Sequence, residues 1–171
     1  MGVDGDASPP REFDEFETGI EEMLQHLVRR DANEQRWTID QTTKVRLESA
    51  TQGPPARATF RLFVTPAMTN ALNNLHGGCA ATIIDILTVI PVMAVGKPGV
   101  FQYGGVSRNL NVTYLRPVPV HTEIRVVCEV TQIGKRLSLL RAEIRRVDDD
   151  ALCVLSEHQK ANTDPPADSK L

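Results

Sequence analysis

The sequence predicts an α+β domain in which an antiparallel sheet of about six strands wraps around one long apolar helix, with a second helix at the periphery. Three observations carry the prediction. Six short runs alternate apolar and polar residues with the period of a half-buried strand. One continuous apolar segment, residues 77–95, is interrupted only by Asp85 and Pro91. The last four strand-like runs are joined by tight polar turns, which make antiparallel neighbours.

The elements follow in chain order. Residues 1–11 read as a disordered leader, 12–162 as a single domain and 163–171 as a flexible tail. Met1–Asp6 lacks the charged and apolar regions of a signal peptide, and Asp6 stands where a myristoylation motif wants Ser or Thr. Phe13, Phe16, Ile20, Met23, Leu24 and Leu27 recur at helical spacing, with acidic residues early and Arg29 and Arg30 late, as the helix dipole favours. Residues 37–50 and 57–64 read as two strands around Gly53-Pro54-Pro55, and an Asn- and Thr-rich loop covers 65–75. The segment 77–95 approaches the length of a membrane span. A central Asp and a Pro make insertion costly and no basic cluster flanks it, so it reads as a core helix kinked near Pro91 and buried on all sides. Strands are then expected at 107–116, 122–133, 136–147 and 151–161, with turns at Gly134-Lys135 and Asp148-Asp149-Asp150.

Composition narrows the chemistry. The 171 residues carry a net charge of −3, against the basic footprint of a nucleic-acid binder. Cys79, Cys128 and Cys153 are odd in number and lack metal-ligand spacing, so neither a disulfide framework nor a metal site is expected. No P-loop or dinucleotide fingerprint occurs.

Two features point to a site. Asp85 lies within an apolar helix, where a carboxylate is costly unless it is paired or faces a cavity. The plain alternative is an Asp bonded to a neighbouring strand or to solvent at a subunit edge. His76-Gly77-Gly78 opens the same helix. Two glycines there leave backbone N–H groups open at the positive end of the dipole, suited to an oxyanion and equally to a simple capping turn. Asp85 lies roughly 12–14 Å further along the helix axis, too far to act on the same carbonyl, so the two ends meet only across two subunits. Asn70 is placed to orient a water or a carbonyl, or to shape a turn. Ser107 brings a hydroxyl without a nucleophile elbow, and Cys79 beside His76 reads as a small core residue. Lys135 and Arg136, with Arg116, Arg141 and Lys160, are the cations available to a bulky anion.

Asn70…His76-Gly77-Gly78…Asp85, Ser107-Arg-Asn-Leu-Asn-Val-Thr-Tyr114-Leu-Arg-Pro117 and Gly134-Lys135 together resemble the hotdog-fold acyl-CoA thioesterases, in the branch of phenylacetyl-CoA thioesterases and thioesterase superfamily member two. The resemblance runs over residues 64–160. It implies a sheet around a central helix, homodimers joined edge to edge and commonly paired into homotetramers, and an acyl-CoA substrate hydrolysed without a cofactor. It implies that Asp85 of one subunit is general base or nucleophile, while Asn70 and the Gly77 N–H of the other hold the substrate and the oxyanion. His76 and Ser107 then assist, and Asn109, Tyr114, Gly134, Lys135, Arg136 and Lys160 lie along the CoA moiety. Two alternatives share the fold: an enoyl-CoA hydratase or dehydratase, and a non-catalytic acyl-CoA binder.

The sequence ends in Ser169-Lys170-Leu171, the C-terminal address read by the peroxisomal import receptor, so the expected location is the peroxisomal matrix. A fluorescent fusion carrying this C-terminus is expected to be punctate and to turn diffuse when Leu171 is removed. Puncta that survive the deletion would contradict the reading.

Overall fold

The computed structural model describes residues 11–34, 38–42 and 44–167; the Ser169-Lys170-Leu171 motif lies outside them. Helix α1 (Glu15–Asn33) begins with a capping box: Asp14 accepts from the Glu17 N–H at 2.8 Å, and Glu17 accepts from the Asp14 N–H at 3.2 Å. Its apolar stripe buries Ile20 and Leu24 completely. The buried Glu17 also accepts from the Ala50 N–H at 3.0 Å and pairs with Arg11. Burial works against its charge, but these donors hold its carboxyl below the ordinary range. A short helix α2 (Ile39–Thr42) follows, then β1 (Arg46–Thr51) and β2 (Ala56–Phe63). The expected strand at 37–50 is therefore only half strand. Among its described residues, the first part closes a helical turn, with Thr42 donating to the Thr38 carbonyl at 3.2 Å. Its alternation also suited a short helix, because a run this brief fits either period.

After a single 3₁₀ turn at Pro66–Met68 the chain enters α3 (Gly77–Leu87) and α4 (Val89–Ala94). The expected kink near Pro91 falls earlier, at Thr88. Proline has no N–H for the carbonyl four residues back, that of Leu87, so the ladder breaks a turn before the ring. The Thr88 hydroxyl donates to the Ile84 carbonyl at 2.8 Å and secures the joint. By composition Gly77–Ala94 is apolar enough to cross a membrane, but here it is broken at Thr88 and packed against the sheet.

Strands β3 (Val106–Tyr114), β4 (Glu123–Ile133), β5 (Leu137–Arg146) and β6 (Leu152–Ala161) complete one antiparallel sheet in the order β1-β2-β4-β5-β6-β3. Its inner face carries Phe60, Ile124, Val126, Ala142 and Ile144, which share one buried cluster with Ile83, Ile84 and Leu87 of α3. Each such fully buried aliphatic side chain contributes roughly 1.5–3 kcal/mol of transfer free energy. The helix is not buried on all sides, as the sequence suggested. Gly78 is exposed and Ala81, Thr82, Asp85 and Ile86 are half-buried, because a six-stranded sheet curls only part of the way around it. The edge strand β1 is packed under α1. The other edge, β3, has β6 as its only strand neighbour among the described residues and shows exposed or half-exposed residues along its whole length.

Candidate active site

Helix α3 runs antiparallel to β3, and contacts at its two ends define two separate half-sites. At the N-terminal end His76 caps the helix, its Nδ1 accepting from the Gly78 N–H at 3.0 Å. That consumes one of the two glycine donors. The Gly77 N–H makes no hydrogen bond among the described residues. Tyr114 donates its hydroxyl to the Gly77 carbonyl at 2.7 Å. A cleft of about 390 Å³ opens here, lined by Asn70, Leu75, Gly77, Tyr114, Arg116 and Val118 among others. The Asn70 Oδ1 accepts from the N–H groups of Leu72 and Asn74 at 2.9 and 3.2 Å, which fixes the loop. Its side-chain amide NH₂ is left as the group able to reach a ligand.

At the other end Asp85 meets two strands. Ser107, the second residue of β3, donates to the Asp85 Oδ1 at 2.5 Å. The fully buried His158 on β6 places its Nε2 at 3.2 Å from the same oxygen and 2.9 Å from the Ser107 hydroxyl. A carboxylate can only accept, so this nitrogen carries the proton. The His158 Nδ1 lies 2.8 Å from the Thr88 hydroxyl, so the break in the helix also orients the imidazole. Lys160, two residues further along β6 and 2% exposed, donates to the Ser107 hydroxyl at 3.3 Å. One oxygen of Asp85 is thus anchored by two groups, Ser107 and His158, with Lys160 behind the serine. The other makes no hydrogen bond among the described residues, and the side chain is 44% exposed.

The electrostatics follow from this packing. The His158 hydrogen bond, against the opposing effect of burial and helped by Ser107 and Lys160, holds the Asp85 carboxyl down to about 2. Burial pushes the Lys160 ammonium below its ordinary value, and the charge on Asp85 partly restores it. Asp85 is therefore a committed anion at neutral pH. Replacing His158 by Ala removes the largest stabiliser of that charge, so the Asp85 carboxyl should titrate closer to the ordinary value of about 4. Carboxyl-carbon NMR between pH 7 and 3 checks this. Wild-type Asp85 should stay ionised throughout, and an unchanged titration in the variant would remove His158 from the network.

The candidate site residues divide between these two ends. Asn70, Gly77 and Tyr114 line the cleft and His76 caps the helix beside it; Asp85, Ser107 and Lys160 belong to the anchored carboxylate. Asn109 is exposed on the open edge just past a bulge between Ser107 and Asn109. Gly134, Lys135 and Arg136 form the β4–β5 turn, where Gly134 donates to the Leu137 carbonyl at 2.9 Å and Asn162 donates to the carbonyls of Lys135 and Arg136 at 3.0 and 2.8 Å. The pairing of Ser138 with Lys160 and of Lys160 with Ser107 sets that turn at the Asp85 end of the sheet. The suggested cluster of five cations does not form within one chain. Arg116 binds the Leu152 carbonyl at 2.8 Å beside the Gly77 cleft, and Arg141 is exposed on β5, next to the buried, inward-facing Leu140 and Ala142. Cys79 packs against the core. Among the described residues no three His, Cys, Asp or Glu side chains gather in a metal-binding arrangement.

Sequence reasoning missed His158. The signal was there in β6, where Val154, Ser156, His158 and Lys160 alternate with more exposed residues and all point inward. Three polar side chains in succession on the core face of a strand are costly unless they serve one another or a ligand.

The chain is similar to several known proteins. Residues 72–153 match the family model described as Thioesterase superfamily. The acyl-coenzyme A thioesterase 13 of Mus musculus is 29% identical over 119 residues, covering 68% of this chain and 79% of that protein. The crystal structure of zebra fish thioesterase superfamily member 2 superposes with a TM-score of 0.71 at 22% identity, covering 83% of this chain and 97% of that one. A hypothetical thioesterase protein from Streptococcus pneumoniae TIGR4, solved with coenzyme A, superposes with a TM-score of 0.64 at 16% identity over 75% of this chain and 92% of its own. With the same sheet around the same helix the chain has the hotdog fold, and its core over residues 72–153 is similar to the thioesterase superfamily.

Proposed function

We propose that this protein hydrolyses acyl-CoA thioesters at a site completed by a second copy of the chain. The observation that carries the proposal is the state of Asp85: ionised, anchored through one oxygen, and open at the other on a helix face its own sheet leaves uncovered. The name of the mouse relative and the coenzyme A in the pneumococcal structure support the substrate class.

The open edge of β3 offers nine residues of backbone on which a second β3 can pair, extending the sheet through the dimer. Such pairing brings the Asp85 end of one subunit to the Gly77 cleft of the other. The thioester carbonyl then points at the Gly77 N–H and the Asn70 amide, whose donors stabilise the oxyanion as the carbon becomes tetrahedral. From the opposite side Asp85 takes a proton from the attacking water, or attacks the carbon itself and forms an anhydride that water then opens. Ser107, held by Lys160 and His158, keeps the carboxylate aimed. Collapse of the tetrahedral species expels CoA as a thiolate, which picks up a proton, and releases the free acid. Lys135 and Arg136 are placed to hold the phosphates of CoA.

Release of free thiol from an acyl-CoA tests the reaction, and absorbance of enoyl-CoA tests the hydratase alternative. Mixing Asp85→Asn chains with Gly77→Pro chains tests the shared site. Each mixed dimer keeps one intact site of two, so random reassociation of the two inactive variants should restore about a quarter of wild-type activity. Mixtures as inactive as their components would place both ends in one subunit.

A further inference from the structure

Two tight turns present cations, and Asn162, a side chain without a part in the mechanism, holds both. The first turn is Lys97-Pro98-Gly99-Val100. The Val100 N–H donates to the Lys97 carbonyl at 2.7 Å, and Gly99 has a φ of +77°. Proline second and glycine third at that φ are what a type II turn requires. The second is the β4–β5 turn, closed by the Gly134 N–H on the Leu137 carbonyl, with Lys135 and Arg136 at its tip. Lys97, Lys135 and Arg136 are all exposed.

Asn162 lies one residue past Ala161, which pairs with Val106 and Leu137 in the row next to that of Ser107, Lys160 and Ser138. Its amide nitrogen donates to the Gly99 carbonyl at 2.8 Å and to the Lys135 carbonyl at 3.0 Å. Its backbone N–H donates to the Arg136 carbonyl at 2.8 Å. Its amide oxygen accepts from the N–H groups of Phe101 and Asp164, both at 3.1 Å. Phe101 has a φ of +56°, rare for a bulky residue and kept only where the surroundings fix it. Here its buried ring and the Asn162 oxygen do so.

The charges on these turns differ from those on the sheet. Arg57, Arg61, Arg125 and Arg145 of β2, β4 and β5 each pair with a carboxylate. Among the described residues Lys97, Lys135 and Arg136 have no such partner. The carboxylate of Asp164, two residues from Asn162, is taken up by the N–H groups of Gln102 and Tyr103. Three uncompensated cations on two turns tied by one amide suit an anion with several phosphates.

We propose that Asn162 is a positioning residue that sets the two turns as one phosphate grip, in which Lys97 joins Lys135 and Arg136. The anion is the phosphate end of CoA, an identification that rests on the thioesterase reading. An exposed cation contributes little to an anion when ordering its chain offsets the gain. Asn162 fixes the backbone of both turns beforehand and so removes part of that cost.

Lys97→Ala and Asn162→Asp test the grip with an acyl-CoA and the matching acyl-pantetheine, which has the thioester without the phosphates. Asn162→Asp keeps an acceptor for Phe101 and loses both donations to the turns. The ratio of kcat/KM for acyl-CoA to that for acyl-pantetheine should fall about fivefold in Lys97→Ala, the size of one exposed ion pair. It should fall at least tenfold in Asn162→Asp, with the loss in KM. The double variant should lose less than the product, because a lysine already misplaced has less to give. A ratio at the wild-type value in either variant overturns the proposal, since a merely structural role affects both substrates alike. Lys97 is exposed, so its variant reads the grip even where Asn162→Asp fails to fold. If no acyl-CoA is turned over, calorimetry with free CoA and with pantetheine replaces the ratio. CoA binding that weakens in the variants then keeps the grip while the thioesterase reading fails. CoA that does not bind, or binds wild type and variants equally, overturns the grip.

Discussion

Asp85→Asn is expected to lower kcat for thiol release about a thousandfold, or about 4 kcal/mol of transition-state stabilisation, with the far-ultraviolet circular dichroism unchanged. Asn keeps the size of the side chain and one acceptor oxygen for Ser107, but it can neither take a proton nor attack as an anion. The packing around it also loses a charge. Lys160 would remain buried with its hydroxyl partner alone, so its ammonium, already pushed down by burial, drops further. Stability reports the same change independently of turnover. A carboxyl held down to about 2 in the fold stabilises it above the unfolded value of about 4, and that contribution is lost as pH falls through the window between them. The wild type should therefore lose melting temperature across this window by an amount that Asp85→Asn does not. The contribution is modest, since a side chain 44% exposed is well screened by water. A variant that retained most of its turnover would remove Asp85 from the mechanism.

The parts of this site that could be read in the sequence, and those that could not, separate for a physical reason. The strands of the second half alternate strongly and are closed by short turns, so their bounds in the structure fall within one or two residues of expectation. The region 37–50 carries too few residues per period to choose between helix and strand, and the fold places both there. Asp85 and the glycines at 77 and 78 stand out because each is anomalous in its local context: a charge in an apolar run, and two helix-weakening residues at a helix start. Even their separation follows from helical rise alone. The anchor of Asp85 is different in kind. Ser107, His158 and Lys160 lie 22, 73 and 75 residues away in sequence, and only the pairing of β3 with β6 brings them together. Nothing local to His158 announces a partner. What marks it is its parity, an inward position on a strand whose register has to be known first. The cations fail for a related reason. Charge in a sequence has no direction, and the sheet sends Lys160 inward while Arg141 stays exposed two strands from the Ser107 edge.

The opposite half-site has a test that leaves its helix intact. Gly77→Pro should reduce kcat by about 10²–10³-fold, the usual loss when one oxyanion donor is removed. Proline is normally a blunt instrument, but this position suits it. Gly77 is the first residue of α3, where the N–H has no helical partner to lose and a φ near −65° is already required. His76 before it sits at φ −64° and ψ 133°, the extended geometry that a following proline imposes. The substitution therefore removes a single hydrogen from the catalytic end and little from the fold. One steric contact accompanies it, because any Cβ on residue 77 comes within 3.1 Å of the Tyr114 ring. Gly77→Ala makes that contact while keeping the N–H, and the exposed tyrosine can swing aside, so its kcat should fall less than tenfold. The pair of variants isolates the donor: a large gap between them assigns the loss to the N–H, whereas equal losses would assign it to Tyr114 and leave the oxyanion without its proposed partner. The deficit in Gly77→Pro should also lie in kcat more than in KM, because a donor aimed at developing negative charge binds the ground-state carbonyl only weakly.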